Sequence, residues 1–115
     1  MALGFDTLAA TAALSLQCEL PDLRVTAVVP FRGQADRWTE KDRELYEDIL
    51  ANVDGTVVLS GYYYDGCLLK RNDYMLERST GVIAYFDGQP KGGTYYTCKK
   101  AKLHGLDVTN LYGSV

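Results

Sequence analysis

The feature that most constrains the fold of this chain is an alternation of strand-like and helix-like segments. Four short blocks rich in β-branched and aromatic residues, Arg24 to Val29, Thr56 to Leu59, Val82 to Phe86 and Val108 to Leu111, alternate with stretches of helical period. Arg24 to Val29 lacks polar alternation after its first residue, as expected of a strand covered on both faces. Leu8, Ala9, Ala12, Ala13 and Leu16 recur at three- and four-residue spacing behind Asp6, a good N-cap, and so predict the first helix and its buried face. Thr39 with Asp42 three residues later has the form of a capping box, and Leu45, Tyr46, Ile49, Leu50 and Val53 form the stripe behind it, ending at Asp54-Gly55. A third helix is predicted from Cys67 to Arg78, with Gly81 as its cap, and a fourth from Thr94 to His104, closed by Gly105. Helices of this length between strands are crossovers, so the strands should be parallel and the connections right-handed. The expected class is α/β: a Rossmann-like three-layer fold with a small, mostly parallel four-stranded sheet, forming one domain over residues 1–115.

Composition narrows what such a domain can do. A 47% hydrophobic fraction in 115 residues supplies one core, and no apolar run approaches the roughly eighteen residues of a membrane span. The first twenty residues carry Asp6, Gln17 and Glu19 and lack a basic segment, so they do not read as a signal peptide, and a cytoplasmic location is expected. A net charge of −3 argues against gripping nucleic acid through its phosphates. Three widely spaced cysteines, Cys18, Cys67 and Cys98, read as reduced thiols, at least two of them in the core, and a single histidine, His104, builds no metal site. No cofactor is expected.

In a parallel sheet with crossover helices, ligands bind beyond the carboxyl ends of the strands. That edge collects Pro30 to Trp38, Ser60 to Gly66 and Asp87 to Thr94. The strongest local signal is Asp87-Gly88-Gln89-Pro90-Lys91-Gly92-Gly93-Thr94. Its glycines let backbone N–H groups approach an anion at the positive end of a helix, and they serve a tight turn equally well. Arg71 can offer a bidentate clamp for phosphate or carboxylate, although a residue of its kind on a helix is usually solvated. Trp38 and the run Tyr62, Tyr63 and Tyr64 offer flat surfaces for a base or, more in keeping with a loop rim, for a protein. No serine sits in a G-x-S-x-G elbow, and no cysteine or histidine stands in a catalytic motif.

Taken together, Gly4-Phe5-Asp6-Thr7-Leu8-Ala9-Ala10, Val29-Pro30, Gln34 with Trp38, Lys70-Arg71-Asn72-Asp73-Tyr74-Met75 and Gly92-Gly93-Thr94-Tyr95-Tyr96-Thr97 resemble the YpsA-like branch of the SLOG superfamily. That superfamily comprises Rossmann-like domains related to the DNA-processing protein DprA and to the Lonely Guy phosphoribohydrolases. The resemblance implies a nucleotide-derived ligand at the strand edge, with Gly92, Gly93 and Thr94 on its phosphate and Asp87, Arg71, Arg37 and Trp38 around it. It also implies two departures. Family members place a strand, a helix and a glycine-ended strand before the Gly-Phe-Asp segment with which this chain opens, so the chain resembles an N-terminally truncated member. The phosphoribohydrolases use an arginine in an R-K-x-x-M helix and a glutamate three residues after the G-T pair; Arg71 and Met75 keep the first spacing, whereas the glutamate position is Thr97. A threonine cannot serve as the carboxylate that glycosidic cleavage needs.

The expected function is therefore non-enzymatic binding of a nucleotide-like small molecule. The alternative is a phage or mobile-element interaction protein that inhibits a host defence nuclease, in the manner of an anti-CRISPR, through protein contacts. Phosphoribohydrolase activity stands behind both. A sheet short of its central strands leaves an open edge, so self-association is expected as well.

Overall fold

A computed structural model of the chain describes residues 5–112. Four helices and four strands alternate in the order α1 (Phe5–Leu16), β1 (Thr26–Val29), α2 (Glu40–Asn52), β2 (Gly55–Val58), α3 (Cys67–Glu77), β3 (Gly81–Ala84), α4 (Gly92–Leu103) and β4 (Asp107–Asn110). The α/β class and the parallel pairing follow the expectation. The strands hydrogen-bond as two parallel pairs, β1 with β2 and β3 with β4, and not as one four-stranded ladder. Each strand is only four residues long, so a ladder holds few bonds, and each pair closes around its own crossover helix, α2 or α4. The chain accordingly divides into two compact units, Met1–Tyr64 and Asp65–Val115.

In the first unit, Thr39 caps α2 as its sequence predicts: its side-chain oxygen accepts from the Asp42 N–H at 3.2 Å. Tyr46 and Ile49 on the inner face of α2 form a core with Ala35, against which Ala10, Leu14, Trp38, Leu50 and Val53 pack. The orientation of α1 departs from the expected one. Leu8 is 70% exposed and Leu16 45%, while Ala10 and Leu14 meet the core. Asp54 ties the unit together, its carboxylate accepting from the Val25 N–H at 2.7 Å and from Gln17 Nε2 at 2.6 Å, with Arg24 at 3.5 Å. These partners, the Val25 amide foremost, hold its pKa below the usual carboxylate value.

In the second unit, α4 packs on β3, β4 and α3. Small residues allow the close approach, since Ala101 on α4 is fully buried and Ala84 on β3 nearly so. Cys67 and Cys98 are buried free thiols and Cys18 is an exposed one; burial pushes the Cys98 thiol pKa up. Gly105 closes α4 at φ +75°, with the Leu106 N–H donating to the Ala101 carbonyl and the Gly105 N–H to that of Lys102, the paired bonds of a Schellman motif. Gly81 does not cap α3: that helix ends at Arg78, and Gly81 opens β3. Between α3 and α4, Lys100 Nζ lies 2.8 Å from the Asp73 carboxylate, to which the Tyr96 hydroxyl also donates at 3.1 Å. Among the described residues no helix is long and apolar enough to cross a membrane.

Candidate functional site

The segment after β3 was the sequence's strongest signal, and it lines a cleft of about 310 Å³ in the second unit. The lining residues are Tyr85, Phe86 and Asp87 beyond β3, Lys91, Gly92, Gly93 and Thr94 at the start of α4, and Tyr112 beyond β4. Four of the seven candidate residues, Asp87, Gly92, Gly93 and Thr94, thus come together at the carboxyl edge of a parallel pair, where crossover geometry places a site.

The start of α4 is built unlike that of α2. α2 has a side-chain cap and two acids, Glu40 and Asp42, in its first turn. α4 has no acid in its first turn and no side-chain cap, and its N-cap residue is Lys91. A cation at the positive end of a helix is electrostatically unfavourable until an anion arrives to offset both. Gly92 turns the chain into the helix with φ +88°, a conformation that side chains with a Cβ rarely adopt. Gly93 has an ordinary backbone, and a Cβ there would lie 3.6 Å from Asn72 Nδ2 on α3. Asp87 puts a carboxylate on the same cleft and uses one of its oxygens, Oδ1, to accept from the Gln89 N–H at 2.9 Å, which fixes the loop.

Arg71 is not the solvated side chain its helix position suggested: only 7% of it is exposed. Its Nε donates to Asn72 Oδ1 at 2.8 Å, and the amide group of Asn72 in turn faces Gly93, so Asn72 joins the guanidinium to the start of α4. Arg71 does not line the cleft. Arg37 and Trp38 belong to the first unit. Arg37 is exposed, while Trp38 packs edge to face on Tyr46, 5.1 Å between ring centroids, at the margin of that unit's core. In the same unit Tyr62 and Tyr63 are 70% and 58% exposed, and Tyr63 meets Phe31 edge to face, so the loops after β1 and β2 adjoin. Among the described residues no cluster of His, Cys, Asp and Glu could hold a metal ion.

Lys91 lies within the glycine-rich segment, whereas Tyr85, Phe86 and Tyr112 line the cleft from outside the expected site, and Asn110, which positions two of them, also lies outside it. Asn110 Oδ1 accepts from the N–H groups of Phe86 at 2.9 Å and Tyr112 at 3.1 Å, and its Nδ2 donates to the Phe86 carbonyl at 2.8 Å. A usable signal was present: aromatic residues close the third strand block, at Tyr85-Phe86, and follow the fourth, at Tyr112.

A family model described as the YspA SLOG family matches residues 1–109. A UPF0398 protein of Bacillus licheniformis is 35% identical over 102 residues, covering 87% of this chain and 56% of that protein. The UPF0398 protein YpsA of Bacillus subtilis is 34% identical over 96 residues, covering 82% of this chain and 53% of its own length. A UPF0398 protein of Bacillus velezensis is 31% identical over 102 residues. The chain spans about half the length of these relatives.

Proposed function

Because the chain belongs to the YpsA SLOG family, we propose that it binds a nucleotide-derived ligand, without catalysis, in the cleft between the start of α4 and the ends of β3 and β4. The observation that carries this reading is the uncapped, acid-free start of α4, with Lys91 and Gly92 at its mouth and Asp87 on the same cleft. The amides and Lys91 favour an anionic group. Asp87 repels one, and its carboxylate suits hydroxyl donors. A site carrying both demands is better matched by a sugar phosphate, whose hydroxyls and phosphate lie at opposite ends, than by inorganic phosphate.

Catalysis is left out of the proposal because Thr97 offers a hydroxyl where the resembling hydrolases carry a glutamate. Its Oγ1 is buried and makes no hydrogen bond to the described residues. Titration calorimetry with AMP, ADP-ribose and inorganic phosphate tests the binding reading. Saturable binding of a nucleotide, weakened by Lys91→Glu, is expected, and silence toward all three at millimolar concentration removes it. Incubation with a nucleoside monophosphate should release no free base.

A further inference from the structure

The cleft has a wall that the anion site does not use. Tyr85 and Tyr112 stand on it with ring centroids 5.1 Å apart and planes at 66°. Both are half exposed, at 50% and 51%, so neither is a core residue that happens to border a cavity. Two half-exposed tyrosine rings at the mouth of a cleft keep apolar surface that a flat ligand can cover.

We propose that the base of the bound nucleotide lies in the corner made by Tyr85 and Tyr112, stacked on the Tyr112 ring with the Tyr85 ring at its edge, and that Asn110 is the positioning residue that holds this corner opposite the start of α4. The proposal rests on the nucleotide-binding reading above and adds which part of the ligand gives selectivity.

Three observations support it. The parallel register sets Ala84 beside Asn110, so the residues leaving β3 and β4 enter the cleft side by side. The Leu111 N–H continues the ladder to the Ala84 carbonyl at 2.8 Å. The Asn110 side chain then locks the two segments: two N–H donors converge on its Oδ1 and one carbonyl on its Nδ2, a pattern that fits only one orientation of the amide. The aromatic wall and the anion-favouring helix start therefore line one cleft of about 310 Å³. That volume lies at the lower end of the range for small-molecule pockets, about 300 to 1,000 Å³, and leaves room for one ring and one anionic group.

The test compares AMP with ribose 5-phosphate, which share a sugar and a phosphate and differ in the base. By calorimetry the wild-type protein should bind AMP about 5- to 150-fold more tightly, the span that stacking of one base supplies. Tyr112→Ala should remove most of that preference by weakening AMP far more than ribose 5-phosphate, and Tyr112→Phe should keep it. Asn110→Asp, which retains the acceptor and loses the donor to Phe86, should reduce the preference in part. Thermal unfolding of each variant confirms that it folds. Equal binding of the two ligands by the wild-type protein, or equal weakening of both by Tyr112→Ala, overturns the stacking surface and leaves the anion site standing. Absence of binding by either ligand overturns the site itself.

Discussion

Substituting the two adjacent glycines at the start of α4 with alanine should change stability in opposite directions. Gly92 has φ +88° and nothing within 4 Å of the position a Cβ would take, so Gly92→Ala meets no collision. Its cost is conformational, about 1–2 kcal/mol for holding an L-residue in the left-handed region. Gly93 lies outside that region, and its nearest neighbour would be Asn72 Nδ2 at 3.6 Å, an ordinary contact. Alanine there restricts the unfolded chain and favours the helix, a gain of about 0.5 kcal/mol in a first turn. The two variants should therefore differ by roughly 1.5–2.5 kcal/mol, or on the order of 6–10 °C in Tm at about 4 °C per kcal/mol. Urea and thermal unfolding of both, with Gly92→Asn as a control that tolerates the left-handed region, provide the measurement. Asparagine should recover part of the loss. If Gly93→Ala falls as far as Gly92→Ala, backbone freedom is not what separates the two positions, and the account of this turn is wrong.

Thr39→Ala should cost about 1 kcal/mol, because it leaves the Asp42 N–H without its cap at the exposed start of α2; denaturant titration reads it, and Thr39→Ser should be close to neutral. The clamp between α3 and α4 should make stability depend on pH at both extremes. The hydrogen bond from Lys100 holds the Asp73 pKa below its ordinary 3.8, so that contribution is complete above this value and is lost as pH falls through the depressed one. The Lys100 pKa is raised above 10.5 by the same bond, so its contribution is complete below that value and is lost as pH rises through the raised one. Asp73→Asn should flatten the acid limb of a Tm-against-pH curve, and an unchanged limb would show that the pair contributes nothing. Leu8, Ile83 and Leu103, at 70%, 68% and 77% exposure, put large apolar side chains in water, and light scattering should show self-association rising with concentration; a monomer at millimolar protein contradicts this.

Much of the fold was legible because its signals are local. A capping box at Thr39 and Asp42 acts within one turn, and the glycine at 105 closes a helix whose last carbonyls are three and four residues away. The alternation of short β-branched blocks with longer periodic segments leaves parallel pairing as the economical solution. The buried face of α1 was not legible, since Leu8, Ala9, Ala10, Ala12, Ala13, Leu14 and Leu16 clothe nearly every side of the helix and periodicity cannot choose among them. Core contact chose Ala10 and Leu14. Arg71 reads as a surface cation on a polar stretch, whereas the folded unit leaves only 7% of it exposed.

The sequence by itself determined the glycine-rich, acid-free start of α4 and the aromatic residues that close the third strand block and follow the fourth, because each is a matter of residue type at a fixed local spacing. That these two features line one cleft was decided by tertiary structure. Tyr85 and Tyr112 are far apart along the chain and meet only because the parallel register sets Ala84 beside Asn110 and the asparagine amide then fixes the segments that follow. Register is a property of two strands together, and no local pattern in either one specifies it.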